Sequence, residues 1–416
     1  MRPRLRLDDL HSGTSIRIEH PRRVIVAMTP DEVVPALDDV QAEVDAGRWA
    51  AGFLAYEAAA GLDPDAVVHP GIDGLPLVWF AISDEPDQRA VDGAMAGSAT
   101  RSAGNAASGG GVAETAPWSA EPWLIDQDEA EHARRVALVH EAIARGETYQ
   151  VNLTTRLRSR LDGDLGAAYL DLCSRQDAAF CAFLDLGRWA ILSASPECFL
   201  TWDDETIASV PMKGTAPRGA TETEDRSRLE GLLASDKDRA ENVMIVDLIR
   251  NDLARISETG TVDVPALLSA EAYPTVWQLT STVSGRPRRD LTLAKAMRAM
   301  FPCGSITGAP KLSTMEHIVA LEDDARGIYC GAIGMIAPRT AASGFRASFS
   351  VAIRTILVDR HREGAAVYGV GGGVTWHSTA EGEYAELLAK ARVLGVEELR
   401  TADTAASPAD RASALA

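Results

Sequence analysis

Two strand-like runs, SASPECFLTW and ETIASVPM, flank Asp203-Asp204 so closely that a hairpin must join them. Elsewhere the strand-like runs are separated by helical patterns. EAEHARRVALVHEAIARG sets Ala133, Val136, Val139, His140 and Ile143 at helical spacing, with Gly146 as the stop. YQVNLTTRL follows, alternating Tyr149, Val151, Leu153, Thr155 and Leu157 as a half-buried strand does. Lys237 to Ile256 reads as a long amphipathic helix, and GEYAELLAKARVL as a closing one. Further strands are expected at GIYCGAIGMIA, RASFSVAIRTILV and AAVYGVGGGVTW. GRWAAGFLAYEAAAGL and LPLVWFAIS suit buried strands or apolar helix segments. Strands joined by both hairpins and helices predict an α/β (α+β) fold with mixed or antiparallel sheets, not a doubly wound parallel one.

The 416 residues exceed the usual size of a single core, which allows one large α/β domain or two domains. The expected organisation is an N-terminal part over 1–90, a Gly/Ser/Ala-rich linker over 91–120, the main domain over 121–400 and a loose tail over 401–416. The linker rests on GSATRSAGNAASGGGVAETAP and the tail on TADTAASPADRASALA. A net charge of −19 argues against nucleic acid or an anionic membrane surface as the main partner. No apolar run approaches a transmembrane span, and MRPRLRLDDL lacks a signal peptide's apolar core. Five scattered cysteines without a CxxC pair fit reduced thiols and a cytoplasmic location, and leave no thiolate zinc site.

Several short constellations carry chemical content. Asp238 and Glu241 share one helix face, and Glu383, Glu386 and Lys390 share another. Such stripes are usually solvated, but two of them converging would suit a hard cation such as Mg²⁺. In PMKGTAPRG, Lys213 stands between a strand-like run and a Gly/Pro-rich loop, either a solvated charge or a placed amine. GSITGAPKLSTMEHI places glycines before a helical run, an anion-binding start or an ordinary cap. Gly371 to Gly373 interrupt an apolar strand, which marks close approach of ligand or backbone; no nucleotide-binding motif fits them. Glu197 follows AILSA, and Arg354 lies in the apolar run SVAIRTILV, where it must find a carboxylate or phosphate.

Taken in order, ETYQVNLT, SASPECFL, PMKGTAPRG, DRAENVMIVDLIRNDLARI, YPTVWQLTSTVSG, FPCGSITGAPKLSTMEHI, GIYCGAIGM, FSVAIRTI, YGVGGGVTWHS and EGEYAELLAKA resemble the chorismate-utilising enzymes, over about residues 140 to 395. The resemblance implies the anthranilate synthase component I-like fold: two stacked, mainly antiparallel sheets flanked by helices. It also implies Mg²⁺-dependent chemistry on chorismate. By the same resemblance Glu241 and Glu386 are metal ligands, with Glu383 and Asp238 behind them or bound through water. Tyr329, Arg354 and Lys390 would hold the substrate's carboxylates. Gly371 and Gly372, with Thr215 or the Gly308 turn, would supply further donors. Glu197 would be the general acid that protonates the departing C4 hydroxyl.

Two positions select a branch of the family. Members that add water to chorismate carry a lysine base where this chain has Gln150, so amination is implied instead. The anthranilate synthases resemble PIAGT where this chain reads PMKGT. The aminodeoxychorismate synthases carry the lysine, whose amine attacks C2 as the C4 hydroxyl leaves; ammonia then enters at C4. Gln278 replaces a histidine linked to pyruvate elimination, and His377 replaces an expected aspartate. The implied activity is amination of chorismate to 4-amino-4-deoxychorismate, for 4-aminobenzoate and folate synthesis. No GxCxGxQ-like turn is present, so ammonia is expected from a separate glutamine amidotransferase subunit in a heterodimer. Competing readings are an anthranilate or 2-amino-2-deoxyisochorismate synthase, or a non-catalytic chorismate-binding subunit.

Overall fold

Side chains alternate across the strand Trp49–Leu54, yet the strand is buried along its whole length. Trp49, Ala51 and Phe53 cluster with Leu5, Ile16 and Ile191 from another sheet. Ala50 and Leu54, facing the other way, cluster with Val33, Leu37 and Val40 of the helix Pro30–Asp45. A strand that feeds two cores must lie in the middle of a layered stack. On the far side, Leu157, Leu192 and Val358 of the other sheet pack with Tyr169 and Leu172 of the helix Leu165–Gln176. The layers therefore run helices, sheet, sheet, helices, as the resemblance implied.

The computed structural model describes residues 3–10, 13–91, 117–176, 178–273, 276–339, 346–396 and 399–401. Most of the expected linker, 92–116, and the expected tail, 402–416, lie outside the described residues. Among the described residues one sheet has twelve strands and the other ten, and strands from before residue 91 extend both. The pairings that build their centres are antiparallel, and one parallel pair joins Arg400–Thr401 to Leu124–Ile125. The expected hairpin is Cys198–Trp202 against Ile207–Val210, closed by Asp203 N–H donating to the Thr206 carbonyl. Among the described residues no helix is long and apolar enough to cross a membrane.

Two neighbouring chains pass from one sheet to the other at the same place. Trp189–Ser195 pairs with Thr355–Asp359 in the twelve-stranded sheet. Their continuations, Cys198–Trp202 and Ala347–Val351, pair in the ten-stranded sheet. The crossings are tied together: Ser195 Oγ donates to the Val351 carbonyl at 2.6 Å, and Val351 N–H to the Glu197 carbonyl at 3.1 Å. RASFSVAIRTILV is thus two strands rather than the single one expected, with Arg354 between them at φ 53°. Changing sheets requires a sharp turn, and a left-handed residue supplies it at a conformational cost.

GIYCGAIGMIA is likewise only partly strand, Ala332–Ile336. The turn before it is pinned from the N-terminal part. Tyr56 N–H donates to the Gly327 carbonyl, and the buried Glu57 carboxylate accepts from Arg326 N–H at 2.7 Å and Gly327 N–H at 3.0 Å. Burial pushes Glu57 up to about 7, against those hydrogen bonds and the charge of Arg156. The folded state therefore binds this proton more tightly than the unfolded chain, where the carboxyl titrates near 4.5. Its contribution to stability is complete below that value and is lost as pH rises to about 7. Denaturant unfolding at pH 5 and pH 7.5 should show a loss of up to roughly 3 kcal/mol that Glu57→Gln removes.

Candidate active site

The strand Ala365–Thr375 pairs along its length with Gln150–Gly163, which places Gly371 to Gly373 opposite Thr154, Leu153 and Asn152. Above these glycines lies a cavity of about 870 Å³, beside the sheet crossings. Its wall holds Glu197, Lys213, Thr215, Asp238, Glu241 and Tyr329. It also holds Arg354, Gly371, Gly372, Glu383, Glu386 and Lys390. All twelve of these residues, singled out from the sequence for catalysis, substrate or metal, thus face one space. Residues 197 and 390 meet there because the crossing, the lysine strand and the closing helix Ala380–Ala391 converge.

Glu197 sits in the first crossing, 4% exposed. Burial raises its carboxyl above the usual range, while Ser305, Lys213 and Lys390 act in the opposite direction. Ser305 Oγ donates to Glu197 Oε1 at 2.5 Å. The backbone carbonyl of the same serine accepts from Lys213 Nζ at 2.9 Å. One residue therefore ties a buried acid to an amine. Lys213 lies on Met212–Pro217, where the register against Val276–Gly285 shifts between Met212 and Thr215. Such a bulge re-aims a side chain, here towards the cavity.

Gln278 clasps the residues after Lys213. Its Nε2 donates to the Gly214 carbonyl at 2.8 Å, and its Oε1 accepts from Thr215 Oγ1 at 2.9 Å. The Thr215 hydroxyl, expected as a substrate donor, is engaged by Gln278. The alternative donor, the Gly308 turn, is not on the cavity wall. Gly308-Ala309 forms a short strand on Gln150-Val151, and the helix Lys311–Leu321 begins as an ordinary helix after it. His377 lies on the exposed turn beyond the glycine strand.

The carboxylates gather on the closing helix and on Asp236–Ala254. Lys237 Nζ stands 3.8 Å from Glu241 and 3.1 Å from Glu383. Ser378 Oγ donates to Glu383 at 2.6 Å, and Thr375 Oγ1 donates to Glu241 at 3.3 Å. Burial raises the Glu241 carboxyl and its neighbours Glu383 and Asp238 add to this, while Lys213 and Lys237 oppose it. Lys390 Nζ, 2.7 Å from Glu386, holds that carboxyl below the usual range. A Cβ on Gly372 would come within 3.0 Å of Glu383 Oε2 and 3.5 Å of Lys390 Nζ, so only glycine leaves this corner open. Among the described residues no group of three or more His, Cys, Asp or Glu side chains is set to hold a metal ion. Lys237 and Lys390 instead supply the positive charge between these oxygens.

Arg354 Nη1 donates to the Lys390 carbonyl at 2.5 Å, and no ion pair to a protein carboxylate is seen for it among the described residues. Its other recorded neighbour is the Tyr368 hydroxyl, and a guanidinium on the cavity wall without a carboxylate partner suits an anionic ligand. Tyr329 is backed by the Arg156 guanidinium, 5.5 Å from the ring centroid. Ser305, Lys237 and the Gln278 clasp were not assigned a part in the site from the sequence. The spacing of Lys237 and Glu241 at i and i+4 could have revealed the second. Nothing local marks Ser305 or the clasp.

A family model described as chorismate binding enzyme matches residues 8–395, and the chain belongs to that family. It is 38% identical over 373 residues to an aminodeoxychorismate synthase of Streptomyces griseus, covering 85% of this chain and 50% of that protein. It is 39% identical over 268 residues to aminodeoxychorismate synthase component 1 of Escherichia coli (strain K12), covering 64% of this chain and 57% of that one. The chain thus spans about half the length of these relatives. The crystal structure of anthranilate synthase component I from Streptococcus pneumoniae TIGR4 shares the fold, with a TM-score of 0.74 at 23% identity and 92% of each chain covered.

The bridging serine can be tested alone, because Ser305→Ala removes the hydroxyl but keeps the carbonyl that accepts from Lys213. Losing that donor should raise the Glu197 carboxyl further. Infrared titration, with Glu197→Gln as the spectral reference, reads the shift. An unmoved band would mean that Ser305 does not govern this acid.

Proposed function

We propose that this chain is an aminodeoxychorismate synthase component I, converting chorismate and ammonia to 4-amino-4-deoxychorismate and water. The observation that carries the reading is the Ser305 bridge, which sets an amine and a buried acid on one side of the cavity. In the first step the lone pair of Lys213 Nζ forms a bond to C2 of chorismate. Both ring double bonds shift, C1=C2 to C1=C6 and C5=C6 to C4=C5, the C4–O bond breaks, and Glu197 delivers its proton so that water leaves. Ammonia then bonds to C4, both double bonds shift back, and the Lys213 nitrogen departs. Glu197 recovers a proton from the entering nitrogen. Arg354 and Lys390 would hold the substrate carboxylates, with Tyr329 beside them. Both aminodeoxychorismate synthase relatives support this reading.

Glu241 and Glu386, with Glu383 and Asp238, would hold Mg²⁺. The oxygen donors suit it, with Lys237 and Lys390 drawn away from the carboxylates they pair with here. When bound, the ion would neutralise the ring carboxylate of chorismate. Ammonia would come from a separate glutamine amidotransferase subunit, forming a heterodimer. All five cysteines of this chain are buried, and burial raises Cys198 and Cys303 to about 12 and Cys330 to about 11, the reverse of a nucleophilic thiol. Their unpaired state also fits a cytoplasmic location. The product would serve 4-aminobenzoate and folate synthesis.

Incubation with chorismate, Mg²⁺ and ammonium, followed by product mass and ultraviolet spectrum, tests the reading. The 4-amino product is expected; fluorescent anthranilate or a 2-amino product would contradict it. Glu197→Gln should slow formation of that product by about 10²–10⁴-fold. Lys213→Ala should abolish it, and 4-amination at the wild-type rate would rule out the covalent route.

A further inference from the structure

Behind the Ser305 hydroxyl stands a thiol that the proposed reaction does not use. Cys303 Sγ lies 3.2 Å from Ser305 Oγ, and both residues are buried. Ser305 N–H also donates to that sulfur. Ser305 and Glu197 line the cavity while Cys303 does not, so the thiol stands behind the acid rather than beside a ligand.

The turn that carries the pair is fixed by other contacts. Thr307 Oγ1 donates to the Cys303 carbonyl at 3.0 Å, and Arg326 Nη1 to the Ile306 carbonyl at 2.8 Å. Gly304 packs so closely on the helix Asp236–Ala254 that a Cβ would run into Leu248. The turn thus holds the thiol and the hydroxyl in a chain that ends on the Glu197 carboxyl.

A hydroxyl has one proton to give and two lone pairs that accept. Ser305 gives its proton to Glu197 Oε1, so the contact behind it is a hydrogen bond only when Cys303 S–H donates to Ser305 Oγ. The thiol holds that proton at neutral pH, because burial and the charge of Glu197 push it up to about 12.

We propose that Cys303 is a positioning residue for the catalytic acid. It sets the direction of the chain, S–H to Oγ and O–H to Oε1, which leaves Oε2 to carry the proton that Glu197 delivers. This rests on the acid role assigned above. A hydroxyl that accepts one hydrogen bond donates the next more strongly, so the thiol reinforces the serine. The other groups that face Glu197 are the Lys213 and Lys390 ammoniums, Met212 N–H and the Cys198 thiol, while Lys311 faces Cys303.

Infrared titration of the Glu197 carboxyl without substrate reads the chain, with Glu197→Gln as the spectral reference. Cys303→Ala should move the titration to higher pH, by less than Ser305→Ala does. Cys303→Ser keeps a donor and should fall between the wild type and Cys303→Ala. In the Ser305→Ala background Cys303→Ala should add nothing, since the chain is already cut. Should the alanine variant not fold, Cys303→Val fills the space without a donor and carries the same expectation. A titration left where it was in the wild-type background would overturn the proposal. So would an equal shift in both backgrounds, which would mean that the thiol acts without Ser305. Serine and alanine variants that shift alike would show volume, not donation, to be what matters. None of these titrations needs turnover, and wild-type product identity tests the amination reading, so the two failures cannot be confused.

Discussion

The crossing of two paired strands from one sheet to the other is the constraint on which the rest depends. The central strands of both sheets commit both of their faces to cores. Where the chains around Glu197 and Arg354 change sheets, the layers part and polar side chains gain a volume to face. The departure is held by backbone and Ser195 hydrogen bonds between the crossings, and it places Arg354 in a left-handed conformation. A strained residue survives only where its surroundings fix it. Here they fix the acid and the guanidinium together.

Charge is then arranged around the walls of that opening. On one wall burial works against ionisation of Glu197, and Ser305 moderates the effect. On the other, Glu241 and Glu383 would repel one another without the Lys237 ammonium. Glu386 is similarly matched to Lys390. Carboxylates and lysines thus face the same cavity. Under the proposed function it would take chorismate, a dicarboxylate, together with Mg²⁺.

Much of this was legible in the residues. The period-two runs gave the strands, and the hairpin at Asp203-Asp204 excluded a parallel sheet. Ordered motif blocks nominated Lys213, Glu197 and the carboxylates, all of which reach one cavity. Hydrophobic periodicity could not show that SVAIRTILV breaks between sheets, because both halves are buried in either arrangement. Nor could spacing show Ser305 joining residues 197 and 213, which meet only after the sheets stack. Spacing was equally silent on the partner of Thr215. Its hydroxyl type was right for a donor, but its cross-strand neighbour Gln278 engages it.

The central claim is that Lys213 acts as a nucleophile beside a buried acid rather than as a fixed positive charge. The most direct measurement is the intact mass of the protein after rapid quenching with chorismate and Mg²⁺ in the absence of any nitrogen source. A gain equal to chorismate less one water, mapped by peptide digestion to Lys213, is the predicted result. No gain in mass from a preparation that aminates chorismate at C4 once ammonium is added would contradict it.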